Sequence, residues 1–551
     1  MTRLTTLFLF LLTIMTLPAA LTAQSDANKK QEPPQPDYVI RATTRLVILD
    51  IVAVDAKGNT VTDLKPEEIQ ILENGKEQAK RDFTFLHPDA EHAPQRVVLH
   101  LPPDVYTNVP QYKGNSSFNI ILFDVLNTHF ENIGYAQDKI VSYLDKHPPT
   151  EPTALYALGN KLWLLHDFTT DAHALRESIA KFKGQGAKLV NASPDEGKTY
   201  TRKSTFMTIG GDRQGATLDA FRSLARIMSA YPGRKNLIWV SESFVVDTMS
   251  AAGAAGGPQF LAPALRYMEE TSDAMMEAQI AIYPIDAGGL SGDAFRPMLT
   301  NFESHNSMKD MADRTGGKAF INRNDLDLGI QSSIDDGSSY YTTSYQPQNK
   351  TWDGKLRNIE LKCSRPGVKL RYRKGYYAVN TASHPPSKQE IKDTSMDFAN
   401  SLDPALPVST AILFQAQIVP PSEKTANKSV INFNIDPRMV SFERKDDGLE
   451  HAEVSCIAWA YPVKGKPVGS GGGTVKAALD EPTFKKVMQA ALPCRQTIEL
   501  PAGNYMLRLG VIDQSTKHMG ALTAWLTVPE QTPPAGAPNV APKPAETTQQ
   551  Q

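Results

Sequence analysis

Phe118-Asn119-Ile120-Ile121-Leu122-Phe123-Asp124 is apolar at all but its second and last positions, and it ends in a carboxylate. A short continuous apolar run marks a strand covered on both faces, because a strand with one wet face would alternate. The same signature recurs downstream. Thr153 to Leu158, a Gly159-Asn160 turn and Leu162-Trp163-Leu164-Leu165 read together as a hairpin. Asn236-Leu237-Ile238-Trp239-Val240, Ile280 to Ile285 and Lys318-Ala319-Phe320-Ile321 are further buried strands. Helical patterns fall between them, at about 133–145, 171–183, 216–230, 261–277, 304–314 and 325–337, and Gly316-Gly317 is a good left-handed helix stop. Strands alternating with helices predict an α/β domain over 115–338, a doubly wound, mostly parallel sheet to which the early hairpin adds one antiparallel strand.

Outward from this domain the pattern is β-rich on both sides. Leu46 to Ala53 is apolar on most of both faces, and Ile69-Gln70-Ile71-Leu72 runs into Asn74-Gly75, a two-residue hairpin signal. Tyr340–Tyr345, Leu356–Cys363 and Val368–Arg373 are strand candidates after the domain. Residues 40–110 hold too few strands for an independent sandwich. They are therefore expected to pair with 339–380 as one β-domain, into which the α/β domain is inserted. Residues 381–403 read as a linker, and 404–529, with short strands recurring between turn residues, as a C-terminal β-sandwich. One helix-like insertion falls at about 482–491. Gly469-Ser470-Gly471-Gly472-Gly473-Thr474 lacks the lysine of a phosphate loop and reads as a flexible turn.

The ends set the compartment. Arg3, the apolar run Leu4–Leu17, Pro18 and a small-residue cleavage point after Ala23 make 1–23 a signal peptide, the alternative being an uncleaved anchor because Leu21 stands at the −3 position, so the chain is expected to be secreted or periplasmic with no later membrane span. Residues 24–39 read as a linker and 530–551, rich in Pro, Ala, Thr and Gln, as a disordered tail. The formal net charge of −2 argues against a nucleic-acid partner. Cys456 and Cys494 are either a pair, with Cys363 left over, or two of three free thiols.

The candidate site is the end of the first α/β strand, since open parallel sheets bind ligands at the carboxyl ends of their strands. Asp124 sits there, followed by Val125, Leu126, Asn127 and Thr128. This resembles the start of the metal site in von Willebrand factor A-type domains, whose pattern is Asp-x-Ser-x-Ser with a later threonine and an aspartate after the fourth strand. The resemblance implies Mg²⁺ or another divalent cation, held by Asp124, Asn127, Thr128 and Glu242, with Thr217 as the later-loop hydroxyl. A protein partner's carboxylate would complete the site. This chain departs from the pattern at Leu126, where a hydroxyl belongs, and at Ser241-Glu242, where the family has Thr-Asp. The other reading is that Asp124 and Thr128 cap the following loop or helix and the site holds no metal.

Further segments resemble the narrower von Willebrand A-related proteins abundant in acidobacteria. They are Asn119–Thr128, Ala154–Asn160, Pro232–Trp239, Ile282–Ala287, Thr315–Phe320 and the stretch from Tyr340 to Tyr377. The resemblance spans roughly 40–378 and implies architecture more than role. The expected function is that of an exported, non-catalytic binding or scaffolding protein with a degenerate metal-dependent adhesion site. The alternatives are a structural cell-envelope component without metal, or a periplasmic hydrolase using Asp124, Glu242 and Asp286. No Gly-x-Ser-x-Gly elbow or His-Glu-x-x-His helix is present. His87, His92 and His100 with Asp89 and Glu91 have no standard metal spacing and read as a surface loop. Arg371, Arg373 and Lys374 among Tyr372, Tyr376 and Tyr377 read as a solvated strand edge or, alternatively, an anionic-polymer site.

Overall fold

The computed structural model describes residues 46–530 except 88–94, 114–116, 160, 183–210, 245–257, 289–297, 352, 354, 379–396, 405, 423–426 and 463–464. The expected signal peptide, the linker 24–39, the disordered tail past Glu530 and His92 with its acidic neighbours lie outside the described residues. Among those described, no helix is long and apolar enough to cross a membrane.

The fold is mixed α/β. A central sheet runs in the order Leu162–Thr169, Thr153–Leu158, Phe118–Asp124, Lys235–Ser241, Ile280–Asp286. Only the first pairing is antiparallel; the others are parallel. Phe320 adds a single parallel bridge to Ile285. Phe118–Asp124 and its two parallel neighbours on either side are buried at every residue, which is why their sequences do not alternate. Successive side chains still point to opposite faces. Phe118, Ile120, Leu122 and Trp239 pack with Phe221, Leu224, Met275 and Met308 from the helices Gly211–Met228, Pro258–Glu277 and Met298–Thr315. Ile121, Phe123, Ile238 and Val240 pack with Ile140, Ile179 and Ile330 from Phe130–Lys146, Ala172–Phe182 and Leu326–Ser338. Each such fully buried side chain contributes about 1.5–3 kcal/mol relative to exposure.

Strands from before and after this unit pair with one another. Val47–Val54 runs antiparallel to both Tyr340–Tyr345 and Lys369–Arg371, and Ile69–Glu73 to Leu356–Cys363. They share one apolar core around Leu49, Ile51, Ile71, Tyr341 and Ile359. Asn74 and Gly75 both have positive φ, 49° and 79°, and close the hairpin between Ile69–Glu73 and Lys76–Gln78. Val105–Thr107 does not join this set, although the sequence places it within 40–110. It pairs with Phe414–Val419 of the C-terminal region, and the Asn108 side chain fixes the crossing by donating to the Ser409 and Ile412 carbonyls and accepting from the Phe414 amide.

The C-terminal region is two antiparallel sheets with a common core, in which Phe414, Ile431 and Phe433 meet Val454, Leu507 and Leu522. Gly469–Leu479 is not a flexible turn. It is a strand paired along its length with Glu450–Tyr461. Its glycines are needed because Leu492–Glu499 of the other sheet comes very close: a Cβ on Gly471 would lie 2.3 Å from the Thr497 carbonyl oxygen. The described end of the expected linker is also packed. Leu402 is fully buried, Ser401 and Leu406 carbonyls accept from the Arg508 guanidinium, and Asp397 pairs with Arg222 and Arg226 of the α/β unit.

Cys456 and Cys494 are joined, with Cα atoms 6.8 Å apart and a sequence separation of 38, and they tie one sheet to the other; Cys363 is free. Closing a loop of this length removes denatured-state entropy equivalent to about 2–4 kcal/mol. Reduction by a thiol should therefore lower the unfolding free energy of the wild type, read from urea curves, by that amount and leave a Cys456→Ser/Cys494→Ser variant unmoved. Equal shifts in both would exclude the bond as the cause.

Candidate functional site

Asp124 ends its strand in full burial, and four donors converge on its carboxylate. The Asn127 amide N–H donates to Oδ1 at 3.0 Å. Oδ2 accepts from Asn127 Nδ2 at 2.8 Å, Trp239 Nε1 at 2.9 Å and Ser241 Oγ at 2.9 Å. Trp239 and Ser241 are two residues apart on the adjacent strand, so both face the same side and both reach Asp124. Burial pushes the Asp124 carboxyl up from its ordinary value, and the hydrogen bonds from Asn127, Trp239 and Ser241 pull the other way.

The loop that follows is tied to the same centre. Asn127 Nδ2 also reaches Thr217 Oγ1 at 2.8 Å, and Thr217 itself donates to the Arg213 carbonyl. The Thr128 hydroxyl turns inward and donates to the Asp124 carbonyl at 2.5 Å. Glu242 is engaged elsewhere: it accepts from the His129 backbone N–H at 2.7 Å and pairs with His129 Nδ1 at 2.9 Å. His129 precedes the helix Phe130–Lys146, so the carboxylate also sits where the helix dipole favours negative charge. Asp286, at the end of the next strand, accepts from the Gly288 amide and contacts His305 Nε2 at 3.0 Å.

Of the residues singled out in the sequence, Asp124, Asn127, Thr128 and Thr217 thus form one connected network, while Glu242 and Asp286 each have a histidine of their own. Trp239, Ser241, His129 and His305 were not anticipated. Period-two spacing marks Trp239 and Ser241 as co-facial, but nothing local says that an indole will turn toward a carboxylate. The donor set does not fit a hard cation. A cation needs free oxygen lone pairs, whereas Asp124 is surrounded by N–H and O–H groups whose positive ends point at it, and the Leu126 side chain brings no ligand atom. Among the described residues no group of three or more His, Cys, Asp and Glu side chains is placed to hold a metal.

The basic-aromatic segment is not a solvated edge. Arg371 pairs with Asp336 of the last α/β helix, and Asp336 accepts from Tyr283 Oη, which in turn accepts from the buried Arg234. The Tyr376 hydroxyl donates to Glu73, the Tyr372 hydroxyl accepts from the Leu361 amide, and the Tyr377 amide donates to Asp273 of the helix Pro258–Glu277. The cluster is the seam between the β-rich flank and the α/β unit.

The molecule is therefore a mixed α/β protein with a closed, carboxylate-centred loop at the carboxyl edge of its central sheet. Solved structures similar to it include a von Willebrand factor type A protein from Catenulispora acidiphila, at 10% identity, covering 82% of this chain and 75% of that one with a TM-score of 0.21. They also include the ArnB paralog VWA2 from Sulfolobus acidocaldarius, at 7% identity, 88% and 76% coverage and a TM-score of 0.22. A third is the three N-terminal domains of the type V pili tip protein Mfa5 from Porphyromonas gingivalis, at 9% identity, 85% and 79% coverage and a TM-score of 0.24. No family model and no curated protein matches the chain.

Proposed function

We propose that this is an exported scaffolding or adhesion protein. Its von Willebrand A-like domain is inserted in a β-domain, is followed by a β-sandwich, and binds a protein partner by direct contact without a metal ion. The observation that carries the reading is the saturated Asp124 carboxylate: the loop that would present a cation is instead a rigid hydrogen-bonded platform. Two large apolar side chains are exposed on the helices Phe130–Lys146 and Met298–Thr315. Phe130 opens the helix that follows the loop, and Phe302 lies one turn before His305; they are 70% and 66% exposed. Exposed aromatic groups around a rigid centre are typical anchors of protein–protein contacts.

Capture from cell-envelope extracts, with and without chelator, tests this. The expected result is a partner retained equally in both and lost with Phe130→Asp or Phe302→Asp. Chelator-sensitive capture, or heat on titrating Mg²⁺, Mn²⁺ or Ca²⁺ that disappears in Asp124→Ala, would restore the metal-dependent reading.

A further inference from the structure

At the amino ends of Phe118–Asp124 and Thr153–Leu158, the edge opposite Asp124, lies a half-open cavity of about 350 Å³. That volume is in the range of small-molecule sites. Its walls come from the end of the helix Phe130–Lys146, the connection 147–151 and the last helix, Leu326–Ser338.

Its lining includes two carboxylates, Glu151 and Asp335, and the Tyr143 hydroxyl. Glu151 is 5% exposed; Thr150 Oγ1 donates to its Oε2 at 3.0 Å, and Asn119 supplies a second hydrogen bond. Asp335 accepts from Gln331 Nε2 at 2.6 Å. Tyr143 is 2% exposed and lines the cavity. Its ring stacks on His147, but its hydroxyl has no hydrogen-bond partner among the described residues. Both carboxylates lie near enough to push the Tyr143 hydroxyl up, after burial itself. Lys146 also lines the cavity, and its ammonium is neutralised by Asp327 at 2.8 Å. Burial pushes Glu151 up as well, with the Thr150 and Asn119 hydrogen bonds opposing.

We propose that this cavity binds a small organic cation, a guanidinium or primary ammonium group, through Glu151, Asp335 and the Tyr143 hydroxyl. An anion would meet two carboxylates. A bare metal ion would leave most of the volume unfilled. A neutral polyol would leave the buried Glu151 charge uncompensated, whereas a cation with several N–H donors satisfies both carboxylates and the idle Tyr143 oxygen together. The Tyr143 and His147 rings add a face for cation–π contact.

Binding a cation favours ionised Glu151, so affinity rises with pH as Glu151 loses its proton. The groups facing it are Tyr143, Lys146 and His147 from the first helix, Asp335 from the last helix, and Asn119 and Thr150 beside it. The part of the pH dependence that Glu151→Gln removes is the diagnostic one.

The test is calorimetric titration of the full chain with n-butylguanidinium and n-butylammonium, with n-butanol and butyrate as controls, at about pH 5 and about pH 8. At least one cation should bind saturably, more tightly at the higher pH, and neither control should bind. Glu151→Gln should weaken binding by about tenfold or more and flatten its pH dependence. Tyr143→Phe should weaken it by about three- to tenfold with an unchanged melting temperature, because that hydroxyl has no partner to lose among the described residues. No saturable binding by either cation, equal affinity in Glu151→Gln, or equal binding of n-butanol would overturn the proposal. The cavity is at the other edge of the sheet from the Asp124 platform, so this result and the capture experiment fail or succeed separately.

Discussion

Replacing Asp124 with alanine should cost roughly 3–5 kcal/mol of stability, read as a lower urea midpoint at neutral pH. The side chain is fully buried and anchors Asn127, Trp239 and Ser241, and truncation leaves their donors in a cavity too crowded to solvate them all. Asp124→Asn should also destabilise, since its amide places an NH₂ among donors, but by less, because one carbonyl oxygen remains. The comparison separates two kinds of acidic loop. In a cation site without its cation, ligand oxygens crowd and repel, so removing a carboxylate is neutral or stabilising until metal is added. Here the carboxylate is the hub. Chelator should leave the wild-type midpoint unmoved, and an alanine variant within about 1 kcal/mol of wild type would show that the network contributes little.

The central strands were legible because burial on both faces leaves a continuous apolar run, and Phe118–Phe123, Leu237–Val240 and Ile280–Ile285 all carry it. The Asn74-Gly75 turn was legible for a different reason, the positive φ that its two residues accept cheaply. What stayed hidden depends on contacts distant in sequence. Gly469–Thr474 looks like a turn because glycine is poor in strands, yet Gly469 and Gly471 yield room to a chain that arrives later, at Leu500 and Thr497. Val105–Thr107 is too short to show a period, and its partner lies more than three hundred residues away. At the site, Asp124 and Thr128 could be picked out as loop polar groups. Their role turns on Trp239 Nε1, whose direction is a matter of packing rather than pattern. Likewise Arg371, Arg373 and Tyr376 read as surface chemistry until Asp336, Asp273 and Glu73 are set opposite them.

That seam holds an ionisable group under tension. Asp273 is half-buried on the helix Pro258–Glu277, and its Oδ2 accepts from the Tyr377 amide at 3.2 Å. Among the described residues its Oδ1 has no hydrogen-bond partner, and neither has the buried Nε of Arg373 nearby. Burial raises the Asp273 carboxyl from its ordinary 3.8 to about 7; the Tyr377 amide and Arg373 lower it, while Glu277 and Glu269 add to the rise. A carboxyl raised in the folded state favours folding while protonated. Its contribution is complete below about pH 4, declines as pH climbs, and is lost once pH passes about 7. Asp273→Asn resembles the protonated form at every pH. The variant should match wild type near pH 4 and exceed it by roughly 2–4 kcal/mol at pH 8. All other titrating groups are common to both chains and cancel in the difference. Denaturation curves at stepped pH give that difference directly, and parallel wild-type and variant profiles would mean that Asp273 ionises without strain. The gap should open most steeply midway between those two values, at about pH 5–6, by at most about 1.4 kcal/mol per pH unit, because a single proton is taken up or released. A steeper slope would mean that Asp273 and Glu277, one helical turn apart, share their protons across the seam.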